Sequence, residues 1–471
     1  MLSRSGRPAL RASLRSARAG KSSRPSSTSA STSKPKIFTR QTSAWATATE
    51  SAHSVLAPMR PANSSYDPLA SIYAEIGDLK STLFRLLGSS HPSLDTVAKY
   101  YFQAEGKHLR PLIVLLMSQA TNRLGGAGWD FAQREAAARG VDDSLTSERA
   151  VLNDWNPAVM GPEDDSMVFA EPFRIPTTKL PPPPPPPLLP SILTTPSGPE
   201  ILPAQRRLAS ITEMIHVASL LHDDVIDTSP LRRGTPSAPH AFGNKLSILA
   251  GDFLLGRASV ALARLGSSEI VELMATVIAN LVEGEVLQLK ATSEPETQPT
   301  QKGFEEYMRK SYLKTASLMA KSARAAVILG GCGNRATCEG EWVKNVAYGY
   351  GRNLGIAFQL VDDALDFLTP SSSLGKPSSG ADLQLGLATA PALFAWEQYP
   401  SLGPLILRKF TAQGDVETAR EIVGRSDGLE RTVELARRFA MEARGLAERL
   451  PGSDARDALV GLTVKVVDQV K

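Results

Sequence analysis

Residues 204–227 read AQRRLASITEMIHVASLLHDDVID, and they decide the fold class. Leu208, Ile211, Ile215 and Ala218 recur at steps of three or four, which fits a helix and not a strand. The same run ends in Asp223, Asp224 and Asp227, set among leucine, valine and isoleucine. In a helix, positions i, i+1 and i+4 project toward one side, so the three acids read as one patch. Two carboxylates about 5.5 Å apart repel by roughly 3 kcal/mol at an effective dielectric near 20. Without a cation, such a cluster on an apolar helix should protonate or destabilise the helix.

The pattern recurs. FQLVDDALDFL, residues 358–368, carries Asp362, Asp363 and Asp366 in another apolar setting near a helix end. Two such clusters on separate long helices point to one cavity lined by both. Oxygen-only ligands select Mg²⁺ or Mn²⁺ over zinc, and Mg²⁺ completes its shell with water and substrate phosphates. The expected site therefore holds a polyphosphate through metal ions. Basic residues fit: Arg232 and Arg233 follow the first cluster, Lys107 and Arg110 stand three apart in GKHLR, and Lys314 and Thr315 lie in SYLKTASL. Guanidinium groups grip phosphate with two bonds, while lysine acts as a mobile point charge. His216 precedes Asp223 by two helical turns on the same helix. A lone histidine, or a lone basic residue, is more often structural; the company these keep argues for a site.

The rest of the 471 residues frames that site. Hydrophobic residues make up 42% of the chain, enough for a real core. The net charge of +4 is uneven: residues 1–49 hold ten Lys or Arg and no acid, leaving 42 basic against 48 acidic residues in the remainder. Nothing there suggests a nucleic-acid surface. The arginine- and serine-rich N-terminus has the composition of a mitochondrial transit peptide, with cleavage expected around residues 35–50; the alternative is a basic tail. Two cysteines, Cys332 and Cys338, make neither a zinc site nor a disulfide framework. No run of 18 apolar residues exists, so no membrane span is expected. Helical periodicity suggests helices over 69–87 and 94–120 and again from 204 to the C-terminus. Between them, residues 121–203 carry Gly, scattered acids and seven consecutive prolines, Pro181–Pro187, and read as a low-complexity insertion in a helical domain spanning 50–471. The fold class is all-α.

These motifs resemble the trans-isoprenyl diphosphate synthases, and in detail the mitochondrial long-chain polyprenyl diphosphate synthases that make the ubiquinone side chain. The stretches that carry the resemblance are GKHLRP, EMIHVASLLHDDVIDTSPLRRG, GNKLSILAGDFLLGRA, YLKTASL, GIAFQLVDDALDF and DLQLGLATAP, within residues 70–120 and 204–471. The resemblance implies an isoprenoid-synthase-type helical bundle around a deep central cavity, in a homodimer or hetero-oligomer. It implies that Asp223, Asp227 and Asp362 hold Mg²⁺ against an allylic diphosphate (farnesyl or geranylgeranyl), which Arg232, Lys314, Thr315 and Gln359 also grip. Lys107, Arg110, His216 and Arg233 would bind isopentenyl diphosphate. Two departures stand out: GKPSSGAD has one residue more than the family spacing, which unsettles the placement of Lys376, and Leu387 stands where the farnesyl-type branch often has lysine. The resemblance also places the protein in the mitochondrial matrix and allows peripheral association with the inner membrane.

Ala218 and Ser219, five and four positions before Asp223, are both small. They lie about one turn below the expected diphosphate, so they should leave the passage open, and the resemblance implies a long product of about six to ten isoprene units. A terpene cyclase or head-to-head synthase would also use paired acidic motifs but has no call for a second diphosphate site at Lys107 and Arg110. A catalytically silent partner subunit would be expected to lose aspartates, and both clusters are complete.

Overall fold

The computed structural model describes residues 70–87, 91–103, 108–138, 141, 201–232, 234–293, 298–333, 338–368 and 380–469. The leader, the proline run, Lys107, Arg233 and Lys376 lie outside the described residues. Helices α1 (Ala70–Leu86), α2 (Pro92–Gln103), α3 (Leu109–Thr121) and α4 (Ala127–Ala138) precede the long α5 (Pro203–Ile226). After a two-residue ribbon, Leu231–Arg232 against Thr235–Pro236, come α6 (Ala238–Phe242), α7 (Asn244–Arg264), α8 (Ser268–Ser293) and α9 (Gln301–Ser311). A π-turn, Tyr312–Ala316, leads into α10 (Ser317–Leu329), and α11 (Glu341–Leu368) follows. The C-terminal part adds α12 (Ala381–Gln384), α13 (Ala390–Gln398), α14 (Gly403–Leu407), α15 (Asp415–Arg425), α16 (Gly428–Ala447) and α17 (Asp454–Asp468). That ribbon is the sole strand pair among the described residues, so the all-α expectation holds.

Two helices make the centre. α3 is buried from Pro111 to Thr121, and α10 is buried at nearly every position from Ser317 to Val327. Helices apolar all round belong in a core, and the others wrap these two. α5 packs on α3, α7 and α10, while α11 packs on α10 and α16. The approach of α11 to α10 is unusually close because Gly351 and Gly355 face it: a Cβ at Gly351 would stand 2.4 Å from the Met319 carbonyl oxygen, and one at Gly355 2.6 Å from Ala316 Cα. A smaller apolar cluster, including Phe367, Leu383, Trp396 and Phe410, ties α12–α15 to the end of α11.

Two expectations need correction. The single helix expected over 94–120 is two helices, α2 and α3. His108, at φ +40°, ψ +40°, occupies the left-handed region just before α3, and Pro111 sits in the first turn of α3, where its missing N–H costs nothing. The stretch 121–203, expected as a low-complexity insertion, is structured at its start. Residues 127–138 form α4, with Trp129 5% exposed, and Gly125 abuts Gly331 so closely that a Cβ there would lie 2.6 Å from its carbonyl carbon. Composition hid this segment, because a short helix, even one rich in alanine, becomes stable only where tertiary contacts support it. Separately, α7 is long and apolar enough to cross a membrane by length and composition alone. It packs against α5 and α2, as a bundle helix does.

Candidate active site

The two acidic motifs sit at the C-terminal ends of α5 and α11, and neither forms the single patch that helical spacing suggested. Asp223 and Asp227 are half-buried, but Asp224 is completely buried and turned to other partners. Arg232 donates to it from Nε (2.8 and 2.7 Å) and from Nη2 (2.5 Å), and the Tyr101 hydroxyl of α2 also donates to it. The same tyrosine oxygen accepts from the backbone N–H of Ala238 (2.7 Å), so one phenol ties α2, α5 and α6 together. The second motif repeats the division. Asp362 is exposed, while buried Asp363 accepts from Tyr307 (2.5 Å) and from Gln359 Nε2 (2.7 Å). Asp366 accepts from the backbone N–H groups of Ala381 and Asp382, both at 3.1 Å, and so fixes the start of α12.

Between the two helix ends stands the π-turn. Such one-turn bulges rotate side chains off an α-helical register and recur at functional sites. Here the bulge carries Lys314 and Thr315. Lys314 Nζ donates to Glu285 (2.5 Å) and Gln288 (3.1 Å) of α8, past Gly284, where a Cβ would meet Lys314 Cγ at 2.6 Å. Thr315 donates to Gln359 Oε1 (2.6 Å), and Gln359 donates in turn to Asp363. The turn is thus joined to the second motif by hydrogen bonds and faces the first through the charge of Lys314, which opposes the upward shift of Asp223 and Asp227.

Burial pushes the Asp223 carboxyl up to about 6; Lys314 pulls it back, while Glu285 and Asp227 push it further. Burial likewise raises Asp227. Asp363 is raised to about 6 by burial, although its bonds from Tyr307 and Gln359 work the other way. Asp382 is raised by burial and then by Asp363 and Asp366. The Lys310 ammonium, 5.4 Å from the Tyr307 ring centroid, is shifted down by burial against the pull of Asp363 and Asp382. Crowded carboxylates raised in this way are what a divalent cation would relieve, and the all-oxygen donor set fits Mg²⁺. Among the described residues, no three His, Cys, Asp or Glu side chains converge into a metal cluster. A cation held here by Asp223, Asp227 or Asp362 would take its other ligands from water and diphosphate.

A second polar group lies nearer the start of α3. Arg110 Nη1 donates to His216 Nε2 at 3.0 Å, so the structure brings together two residues singled out from sequence. Beside them, buried His108 and Glu213 pair at 2.9 Å. Burial alone would raise the Glu213 carboxyl; the facing His108, its hydrogen bond, and then His216 and Arg110 overcome this and hold it at about 2, against an ordinary 4.5. A carboxylate depressed on folding stabilises the protein fully above its unfolded pKa, and that stability is lost as pH falls from about 4.5 toward 2. The pair should contribute on the order of 3 kcal/mol at neutral pH. Denaturant midpoints of wild type and Glu213→Gln should therefore differ clearly at pH 6, by roughly half as much at pH 3, and converge only as pH falls toward 2. A gap that does not narrow would remove the pair from the acid response.

Ala218 is completely buried, and the half-buried Ser219 donates to the His216 carbonyl at 2.8 Å. Sequence reasoning missed Tyr101, Tyr307, Glu285, Gln288, Lys310 and Asp382. Only Asp382 carried a signal, in the GAD that follows the second motif.

Paired acidic helix ends with cations between them, on an all-α bundle, define an enzyme class that handles diphosphates. The chain belongs to the polyprenyl synthetase family: the family Polyprenyl synthetase matches residues 191–423. It is 49% identical, over 86% of its length and 82% of the relative's, to the Neurospora crassa protein named "Probable hexaprenyl pyrophosphate synthase, mitochondrial". It is 40% identical to the mitochondrial hexaprenyl pyrophosphate synthase of Saccharomyces cerevisiae, over 86% and 91% of the two chains. A crystal structure of the polyprenyl synthase from Caulobacter crescentus, complexed with calcium and isoprenyl diphosphate, superposes with a TM-score of 0.62 at 26% identity, covering 88% of this chain and all of that one. The protein is a prenyltransferase of the long-chain polyprenyl diphosphate type, and it is mitochondrial.

Proposed function

We propose that this chain adds isopentenyl diphosphate repeatedly to an allylic diphosphate, farnesyl or geranylgeranyl, and releases a product of about C30–C50 that serves as the ubiquinone side chain. The observation that carries the reading is the π-turn standing between the two acidic helix ends. Asp223, Asp227 and Asp362 are the residues to hold Mg²⁺, which when bound supplies positive charge against the allylic diphosphate. Lys314 and Thr315 bind and orient that diphosphate, with Gln359 setting the Thr315 hydroxyl and Arg232 closing the site from the first motif. Arg110 and His216, with Lys107 and Arg233, bind isopentenyl diphosphate. As the allylic C–O bond breaks, its electron pair leaves with the diphosphate, whose growing charge these cations stabilise. The isopentenyl double bond forms the new C–C bond, and a proton passes to the released diphosphate. Purified protein given farnesyl diphosphate, radiolabelled isopentenyl diphosphate and Mg²⁺ should make labelled polyprenyl diphosphate and should stop in EDTA. Turnover unaffected by EDTA would end the metal reading.

Ala218→Phe tests the route of the chain. It should shift the product to about three or four units while diphosphate release continues, provided a melting curve shows the protein folded, because overpacking a core residue can itself destabilise. Unchanged product length by mass spectrometry would place the passage elsewhere.

Subunit association has its own support. Val282, Val286 and Leu289 of α8 are each more than half exposed, at helical spacing, and Ile248 and Leu249 of α7 are exposed as well. An apolar stripe of this kind marks an interface with a partner subunit, a second copy or a related chain. Light scattering should give a mass at least twice that of the chain, and Val286→Arg should lower it; a monomeric wild type would count against the interface.

A further inference from the structure

Beside the second acidic motif stands a lysine with nothing to hold. Lys310 lies on α9, four residues before Lys314 of the π-turn. Its ammonium is 5.4 Å from the ring centroid of Tyr307, the tyrosine that donates to Asp363. Lys310 is half-buried, and among the described residues it makes no hydrogen bond and no ion pair. Lys314, by contrast, is engaged twice by α8, through Glu285 and Gln288. The charges that act most on Lys310 are those of Asp363 and Asp382, then Lys314 and Glu285, which puts it on the second-motif side of the same centre. Asp363 already accepts from Tyr307 and Gln359, so it needs no ammonium to satisfy it. A charge drawn from water without a partner is costly, and an anion arriving beside it relieves that cost.

Lys310, Tyr307, Phe304 and Leu387 line one cavity, between α9 and the turn that follows α12. The two carboxylates on its wall have other partners: Glu397 accepts from Arg431 at 2.7 Å, and Glu306 faces Lys302 at 3.9 Å. With Lys290 and Lys409 also on the wall, three cations stand against those two acids, and the cavity favours an anion. Position 387 holds leucine where the farnesyl-type branch often has lysine, and the charge on this cavity comes from another helix.

We propose that Lys310 is a further diphosphate-binding residue, which grips the allylic diphosphate from the side of the second motif and stands in for a cation at position 387; the assignment rests on the synthase reading above. Lysine is a point charge on a flexible four-carbon stem, so it can follow the diphosphate without a fixed fork geometry. Bound there, the ammonium adds a charge-assisted hydrogen bond to the diphosphate, and with it affinity for the allylic substrate.

The test is calorimetric binding of farnesyl diphosphate in Mg²⁺ without isopentenyl diphosphate, so that no turnover intervenes. Lys310→Met keeps the aliphatic stem and removes the charge. It should weaken binding about tenfold or more, the size of a hydrogen bond to a charged group, and raise the KM for farnesyl but not for isopentenyl diphosphate. Since Lys310 has no bond to lose, the substrate-free melting temperature should not fall. Lys310→Met/Leu387→Lys returns an ammonium to the same cavity and should recover affinity several-fold. A Lys310→Met protein that binds like wild type overturns the proposal. Weaker binding joined to a lower melting temperature, with no recovery in the double variant, also overturns it, because that is the record of a structural counter-charge. A wild type that neither binds farnesyl diphosphate nor incorporates label overturns the synthase reading itself, and this assignment with it.

Discussion

Asp223→Ala is expected to lower turnover by roughly 10³-fold or more, because it removes a group that holds cation and diphosphate together, an interaction worth several kcal/mol in the transition state. The same change should leave the metal-free protein no less stable. Asp223 stands half-buried near Glu285 and Asp227, and its pKa of about 6 records that burial and those like charges oppose its ionised form. Deleting it removes an unfavourable charge. Asp362→Ala should lose activity comparably, also without loss of stability, since Asp362 is exposed. Steady-state kinetics and metal-free melting curves check both halves. Near-normal turnover in either variant would take the residue out of the site.

Asp224→Ala, one residue along, is expected to differ by costing stability: a loss on the order of 3–5 kcal/mol, read as a lower denaturant midpoint. Asp224 is fully buried, and its two oxygens receive Arg232 and Tyr101. Removing the carboxylate strands a guanidinium that is only 28% exposed and a phenol that also caps the Ala238 amide. Activity falls too, because Arg232 loses the anchor that aims it. If the midpoint does not move, the Arg232–Asp224–Tyr101 group is not structural, and the division of labour between adjacent aspartates fails.

That division marks where the sequence stopped being informative. Leu208, Ile211, Ile215 and Ala218 specify a helix from their own spacing, because a 3.6-residue period leaves the same record in any context. The acidic motifs, their order, and the cations of SYLKTASL and GKHLR were legible for a related reason: aspartates embedded in an apolar run are costly unless something binds them. Even the family could be read from those stretches. Which aspartate faces the site could not. Asp223 and Asp224 are neighbours of identical chemistry, and they part company only because Tyr101 and Arg232 arrive from other elements to claim one of them. Lys314 and Thr315 owe their placement to a π-turn, which no local pattern announces, and Gln359 reaches Thr315 because Gly351 and Gly355 let two helices close up. Helix α4 sat unseen inside a stretch whose composition reads as an insertion. Periodicity and composition are local properties and survive in the linear chain, whereas burial, pairing and pKa belong to contacts between segments, so only the folded bundle decides them.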